Sequence, residues 1–247
     1  CCFAFLGLLI MPYLPKESTY TGIDMAENLI EMGKKLFVEN RLQGEFIHSD
    51  VYVYDAEDSY DVVICQAVLR HLDSAERFVK RMMEFAKPGA YIICIDSNRE
   101  FECDGLYIDG MDYFRLCEHA GMEKNWKTEL EQQGRDYAAA IRNAHMMRRL
   151  GLKDVDVRMN DRVDFITPQR EDYEQRKHDF IEYNDWSRGL TEEQKEKSIQ
   201  YFLTHGMTRK EAADFCERNM EIARFFQENP NAGYTFVKGT MISYGKK

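Results

Sequence analysis

The chain has 247 residues, 44% of them hydrophobic and 31% charged, with a formal net charge of -10. That length suits one large domain or one domain carrying an insertion, and the composition excludes a wholly disordered chain. The acidic balance and the absence of a dense Lys/Arg run argue against a nucleic-acid partner, because holding phosphates needs a basic surface that releases counterions.

Residues 1–14 are mostly apolar and predict a helix over about 5–14. They have no basic leader or small-residue cleavage site and are too short to span a bilayer. The segment therefore reads as the truncated start of a folded domain, and no membrane partner is expected. Strands are predicted at residues 19–23, 45–49, 61–66 and 90–96, with helices at about 26–37 and 75–85 between them. This alternation is the pattern of βαβ units. The runs Val62-Val63-Ile64-Cys65 and Tyr91-Ile92-Ile93-Cys94-Ile95 are continuously apolar, as in strands covered by helices on both faces. The Lys87-Pro88-Gly89 turn stops the second helix.

A loop rich in Gly and Asp follows at 104–112, then a helical pattern at about 137–150, a strand at 155–158 and a terminal strand at 234–244. Between these strands lies a helical block, about 171–228. Within it Thr191-x-x-Gln194 and Thr208-x-x-Glu211 are capping-box patterns. Ala212, Phe215, Cys216, Met220, Ala223 and Phe226 fall on one helical face. The seven cysteines include the adjacent pair Cys1-Cys2, and no C-x-x-C spacing occurs. They read as reduced thiols of a cytoplasmic protein, with no metal site.

Asp24 closes the first predicted strand, 22 residues after Cys2. An acid at that place can accept both hydroxyl hydrogen bonds of a ribose; a helix cap would use the same residue type. The run Leu14-Pro15-Lys16-Glu17-Ser18-Thr19-Tyr20-Thr21-Gly22-Ile23-Asp24, followed by Met25-Ala26-Glu27, resembles the second-strand region of class I S-adenosylmethionine (SAM)-dependent methyltransferases. Phe46-Ile47-His48-Ser49-Asp50-Val51 is similar to that family's adenine-edge motif. The run from Tyr60 through Gln66 and Ala67 to His71-Leu72 resembles its fourth-strand motif, and Phe85-Ala86-Lys87-Pro88-Gly89-Ala90 its turn into strand five. In the glycine-rich turn the sequence departs, because Cys2 and Ala4 stand where glycines are usual.

The resemblance implies an α/β fold of Rossmann-like type, a mostly parallel sheet flanked by helices, truncated at strand one and with a helical insertion before the last strand. It implies a SAM-binding core over 1–167, a helical insertion or lid over 168–230, and a strand completing the core over 231–247. It also implies S-adenosyl-L-methionine as cofactor, held by Cys2, Ala4, Asp24, Met25, Asp50, Val51, Gln66 and Ala67, and a small-molecule methyl acceptor as partner. His71 is the candidate general base, since its ordinary pKa is near neutral; an exposed or capping histidine is the plainer alternative. Asp96-Ser97-Asn98, Tyr107, Asp109, Asp112 and His145 with Met146 and Met147 are further candidates for the acceptor side, as are Phe180, Tyr183, Trp186, Tyr201 and Phe202. Two other readings stay open: an inactive methyltransferase fold impaired at Cys2 and Ala4, and a nicotinamide-dependent oxidoreductase.

Overall fold

The structure, a computed structural model, describes residues 4–56, 60–117, 119, 121–186 and 191–247. The chain opens with α1 (Phe5–Ile10), which tightens into a 3₁₀ turn at Met11–Tyr13 where Pro12 enters. Strand β1 (Thr21–Asp24) then leads through α2 (Glu27–Glu39) to β2 (Glu45–His48), which pairs with β1 in parallel. Strand β3 (Tyr60–Gln66), a 3₁₀ turn at Leu69–His71 and α3 (Ala75–Phe85) bring the chain to β4 (Ala86–Ser97), parallel to β3. The Pro88-Gly89 turn is a bulge within β4: Tyr60 pairs with Ala86 but Val62 with Tyr91.

The second half is richer in elements than its sequence pattern suggests. Helix α4 (Arg99–Asp104) leads into the Gly/Asp-rich loop, which holds β5 (Leu106–Ile108), followed by α5 (Tyr113–Leu116), α6 (Met122–Gln133) and α7 (Ala139–Arg149). Strands β6 (Lys153–Met159) and β7 (Val163–Ile166) precede α8 (Tyr173–Tyr183), α9 (Glu192–Thr204) and α10 (Arg209–Glu228). The expected terminal strand is two strands, β8 (Tyr234–Val237) and β9 (Thr240–Lys246), broken at Gly239, whose φ is 62°.

The expectation of a mostly parallel sheet is corrected. Of the six described pairings two are parallel and four antiparallel. The central sheet runs β3-β4-β9-β6, and β9 lies antiparallel to both its neighbours. A second sheet, β5-β8-β7, is wholly antiparallel. The physical reason is the point of entry: β8 lies in the second sheet and only Lys238 and Gly239 separate it from β9, so the chain enters the central sheet at the C-terminal end of β4, with Thr240 opposite Ser97, and runs back along it.

Strands β1 and β2 form a two-stranded sheet of their own, and the two larger sheets each have a core. Leu69, Val79, Met82, Ile92 and Met147 are buried where α3 and α7 cover the central sheet. Ile108, Ile166, Phe180, Ile222, Phe226 and Tyr234 form the core where α8 and α10 cover the second sheet, with the Phe180 and Tyr234 rings stacked 4.0 Å apart. The 50–54 turn after β2 is pinned to α3: Arg81 Nε donates to the Val51 carbonyl at 3.0 Å, and the same guanidinium donates to that of Tyr54.

Candidate functional site

The described candidates on the cofactor side lie where elements end. Ala4, just ahead of α1, is 1% exposed and has φ 60° and ψ 23°. This left-handed backbone costs a residue with a Cβ about 1–2 kcal/mol and a glycine nothing. Its methyl faces α2, since a Cβ added to Gly33 would lie 3.4 Å from it. Cys2 lies outside the described residues.

Asp24 is half-buried, and its Oδ1 accepts from Ala26 N at 3.0 Å, an Asx turn that starts α2. The register sets Asp24 opposite His48, and Ser49 N donates to the Asp24 carbonyl at 3.0 Å. Asp50 therefore leaves β2 directly beside the end of β1. Its Oδ1 accepts from Tyr52 N at 2.9 Å, which folds the chain back and leaves Val51 half-buried. Arg77 covers the Tyr52 ring at 4.3 Å. Met25 is exposed, and its carbonyl accepts from His48 Nε2 at 3.0 Å. Gln66 ends β3 and is exposed, as is Ala67, whose φ is 53° and whose N–H donates to the Ile95 carbonyl at 2.8 Å. Ala4 and Ala67 are thus two of the five described non-glycine residues with positive φ. Strain of this kind concentrates at functional sites.

His71 is exposed, and its described contacts lie with a different group of residues. Arg70 Nε donates to its Nε2 at 3.2 Å, and its ring meets Tyr137 edge-on at 6.1 Å. Burial, then Arg70, Arg135 and Arg99, hold its pKa below the ordinary 6.5. The imidazole is therefore neutral at pH 7, with Nε2 already engaged as an acceptor. Behind this turn Asp96, on the last stretch of β4, is 1% exposed, and burial pushes its carboxyl up to about 7 against the pull of Arg70 and the Asn143 amide. Ser97 Oγ meets Thr240 Oγ1 at 3.1 Å, and Asn98 is fully buried.

Beyond Tyr137 lies a cavity of about 310 Å³, walled by Trp126, Phe180, Trp186 and Phe215 and carrying Arg99, Asn125, Glu129 and Arg218. Of the sequence candidates, Phe180, Tyr183 and Trp186 line it, and the Tyr201 hydroxyl donates to Glu129 Oε1 at 2.7 Å from behind. The residues that sequence reading missed are Arg99, Asn125, Glu129, Tyr137 and Arg218. Arg218 carried a signal, a cation between Cys216 and Ile222 within the apolar face of α10, because buried charges are rare without a partner or a function. Other candidates do plainer things. Asp112 caps α5 by accepting from Phe114 N at 3.1 Å, and Tyr107 donates to Asp109 at 3.4 Å on an exposed surface. His145 is exposed, and Met146 and Met147 belong to the core of the central sheet. Among the described residues no cluster of three or more His, Cys, Asp or Glu is placed to hold a metal, and no helix is long and apolar enough to cross a membrane.

Asp24 and Asp50 thus stand at and just past the ends of two consecutive parallel strands, β1 and β2. Residues 6–94 match the family described as a methyltransferase domain. The chain is 27% identical over 107 residues to the ubiquinone biosynthesis O-methyltransferase of Rickettsia akari, covering 43% of each chain. It is 26% identical over 108 residues to the protein of that name from Coxiella burnetii, covering 43% of this chain and 46% of the other. The chain thus spans less than half the length of these relatives. Its fold resembles that of the YcgJ protein from Bacillus subtilis with a TM-score of 0.50 at 12% identity, covering 100% of this chain and 88% of that one.

Proposed function

We propose that this chain binds SAM along the ends of β1, β2 and β3 and transfers its methyl group to a small-molecule acceptor. The observation that carries the reading is the adjacency of Asp24 and Asp50, set side by side by the Asp24–His48 register and the Ser49-to-Asp24 hydrogen bond. The donor set fits the cofactor: Asp24 holds the ribose hydroxyls, Asp50 takes the adenine amine, and Val51 packs on the ring. Bound there, the cofactor supplies an electrophilic methyl carbon on sulfonium sulfur, whose displacement by an acceptor lone pair leaves a neutral thioether and a proton. The chain contributes chiefly position and exclusion of water. Gln66 and Ala67 flank the reacting end, Met25 lies over the ribose side, and residues 168–230 serve as the lid. His71 is held neutral and takes the acceptor proton once Arg70 turns away from Nε2.

Calorimetry with SAM and with S-adenosylhomocysteine tests this. Saturable binding is expected, weakened at least tenfold by Asp24→Ala, because charge-assisted hydrogen bonds of about 1.5–3 kcal/mol are lost. Wild-type binding that Asp24→Ala leaves unchanged would remove the carboxylate from the site.

A second reading, a methyltransferase fold that no longer holds its cofactor, is favoured by one observation, the left-handed backbone at Ala4. If it is right, the wild-type chain shows no titration and Ala4→Gly restores one.

A further inference from the structure

We infer that Asp96 provides a second seat for the Arg70 guanidinium, and that Arg70 leaves His71 for the Asp96 carboxylate when that carboxyl loses its proton. The inference rests on the methyl-transfer reading, which needs Arg70 to turn away from His71 Nε2 and does not say what turns it. Asp96 is then a positioning residue that acts on His71 through Arg70.

The backbone brings the three groups together. Strands β3 and β4 run parallel with Gln66 opposite Ile95, and Ala67 N donates to the Ile95 carbonyl at 2.8 Å. The 3₁₀ turn of Leu69–His71 is therefore held against the end of β4, where Asp96 follows Ile95. Arg70 acts on both of the others, its charge favouring the Asp96 carboxylate and disfavouring the His71 imidazolium. Its Nε donates to His71 Nε2 at 3.2 Å, while its Nη1 is buried and has no hydrogen-bond partner. Asp96 is 1% exposed, and neither of its oxygens has a partner at hydrogen-bonding geometry. A spare buried N–H on a cation and two spare oxygens on a buried acid are complementary groups held apart. That separation suits the protonated acid. A buried carboxylate without a partner is costly, and a guanidinium fork is the partner that matches it.

The surroundings leave Arg70 as the answering charge. From α7 the Asn143 amide, 3% exposed, favours the carboxylate but carries no charge. From β3 the buried Cys65 thiol is pushed well up by Cys94 of β4, by burial and by Asp96, so it stays neutral. From β9 Ser243, opposite Cys94 and so on the same face as Asp96, brings a buried hydroxyl without a partner. The charged groups acting on His71 are Arg70, Arg135 and Arg99, with the Tyr137 ring edge-on at 6.1 Å. All three are cations, so the departure of Arg70 raises the affinity of Nε2 for a proton as well as uncovering it. Burial sets the Asp96 carboxyl at about 7, which places the exchange where His71 is already neutral.

Nitrogen NMR of the full chain labelled with 15N-histidine tests this without any cofactor. The His71 signals are assigned by their loss in His71→Gln, and the pH is taken from about 5 to 9. Wild-type His71 Nε2 should show its own protonation below 6.5 and a separate step near pH 7, as the hydrogen bond from Arg70 is lost. The step near 7 should disappear in Asp96→Asn and in Arg70→Gln, while the protonation step remains in both. A wild-type chain without the step near 7 overturns the inference. So does a step near 7 that survives either substitution. SAM binding is followed separately by calorimetry, so its absence refutes the transfer reading and leaves the nitrogen titration to decide the seat of Arg70.

Discussion

At the scale of single residues, Asp96 has the largest consequence for stability. A carboxyl that titrates near 4 in the unfolded chain and at about 7 in the fold holds its proton more tightly when folded. The sign follows from linkage: the group costs nothing below pH 4, and its cost grows as pH rises from 4 to 7 and is complete above that. Three pH units correspond to on the order of 2–4 kcal/mol. Asp96→Asn should therefore raise the melting temperature at pH 8.5 and leave it unchanged at pH 4, measured by thermal unfolding. An equal shift at both pH values would mean the carboxylate is not desolvated. The sequence already marked Asp96 as standing at the end of a strand. It could not distinguish an exposed turn residue from one sealed beneath Arg70 and Asn143, because that distinction depends on α7 packing over the strand end.

Elements with a strong local code were the ones most readily read. The helix predicted over 75–85 is α3 residue for residue, since its apolar spacing and Ser74 cap are local signals. Both capping boxes form, at Thr191 with Gln194 and at Thr208 with Glu211. Thr208→Ala should cost about 1 kcal/mol at pH 7 in a urea titration. Glu211 is held down to about 2 by Lys124 and the Thr208 groups, so its contribution is complete above pH 4.5 and is lost as pH falls toward 2. The penalty of the substitution should shrink over that range; a constant penalty would place the whole effect in the hydroxyl. Illegible elements were short or polar. Strands β5 and β7 have three and four residues, too few to establish a period. Helix α6 is nearly all polar on its exposed side, and the cavity beyond Tyr137 draws on residues 99, 125, 129, 137 and 218, which no spacing rule connects.

At the scale of the whole molecule, one glycine holds α6 against the turn after His71. Gly134 ends α6 with φ 71°, and a Cβ there would lie 2.1 Å from the Asp73 carbonyl oxygen, in the turn that follows His71. Backbone against backbone cannot yield as a flexible side chain would. Gly134→Ala adds left-handed strain to that clash and should lower stability by more than about 2 kcal/mol. It should also change the intrinsic tryptophan emission, because α6 carries Trp126. Unchanged unfolding free energy would show that the helix can slide along the turn. The family match and the motifs lie within residues 6–94; the cavity beyond Tyr137 was opaque in the sequence because tertiary packing alone assembles it.

The two-residue link of Lys238 and Gly239 makes the two sheets a geared pair. Phe236, in the wall of the cavity beyond Tyr137, is three residues upstream of Gly239, while Thr240, which meets Ser97 beside Asp96, is one residue downstream. Slack in either sheet is transmitted to the other within a few ångströms of chain. Side chains alternate along a strand, so even one residue inserted at the link shifts the phase between β8 and β9. Either Phe236 would then leave the cavity wall or Ser243 would leave the interior of the central sheet, and the two halves could not both stay in register.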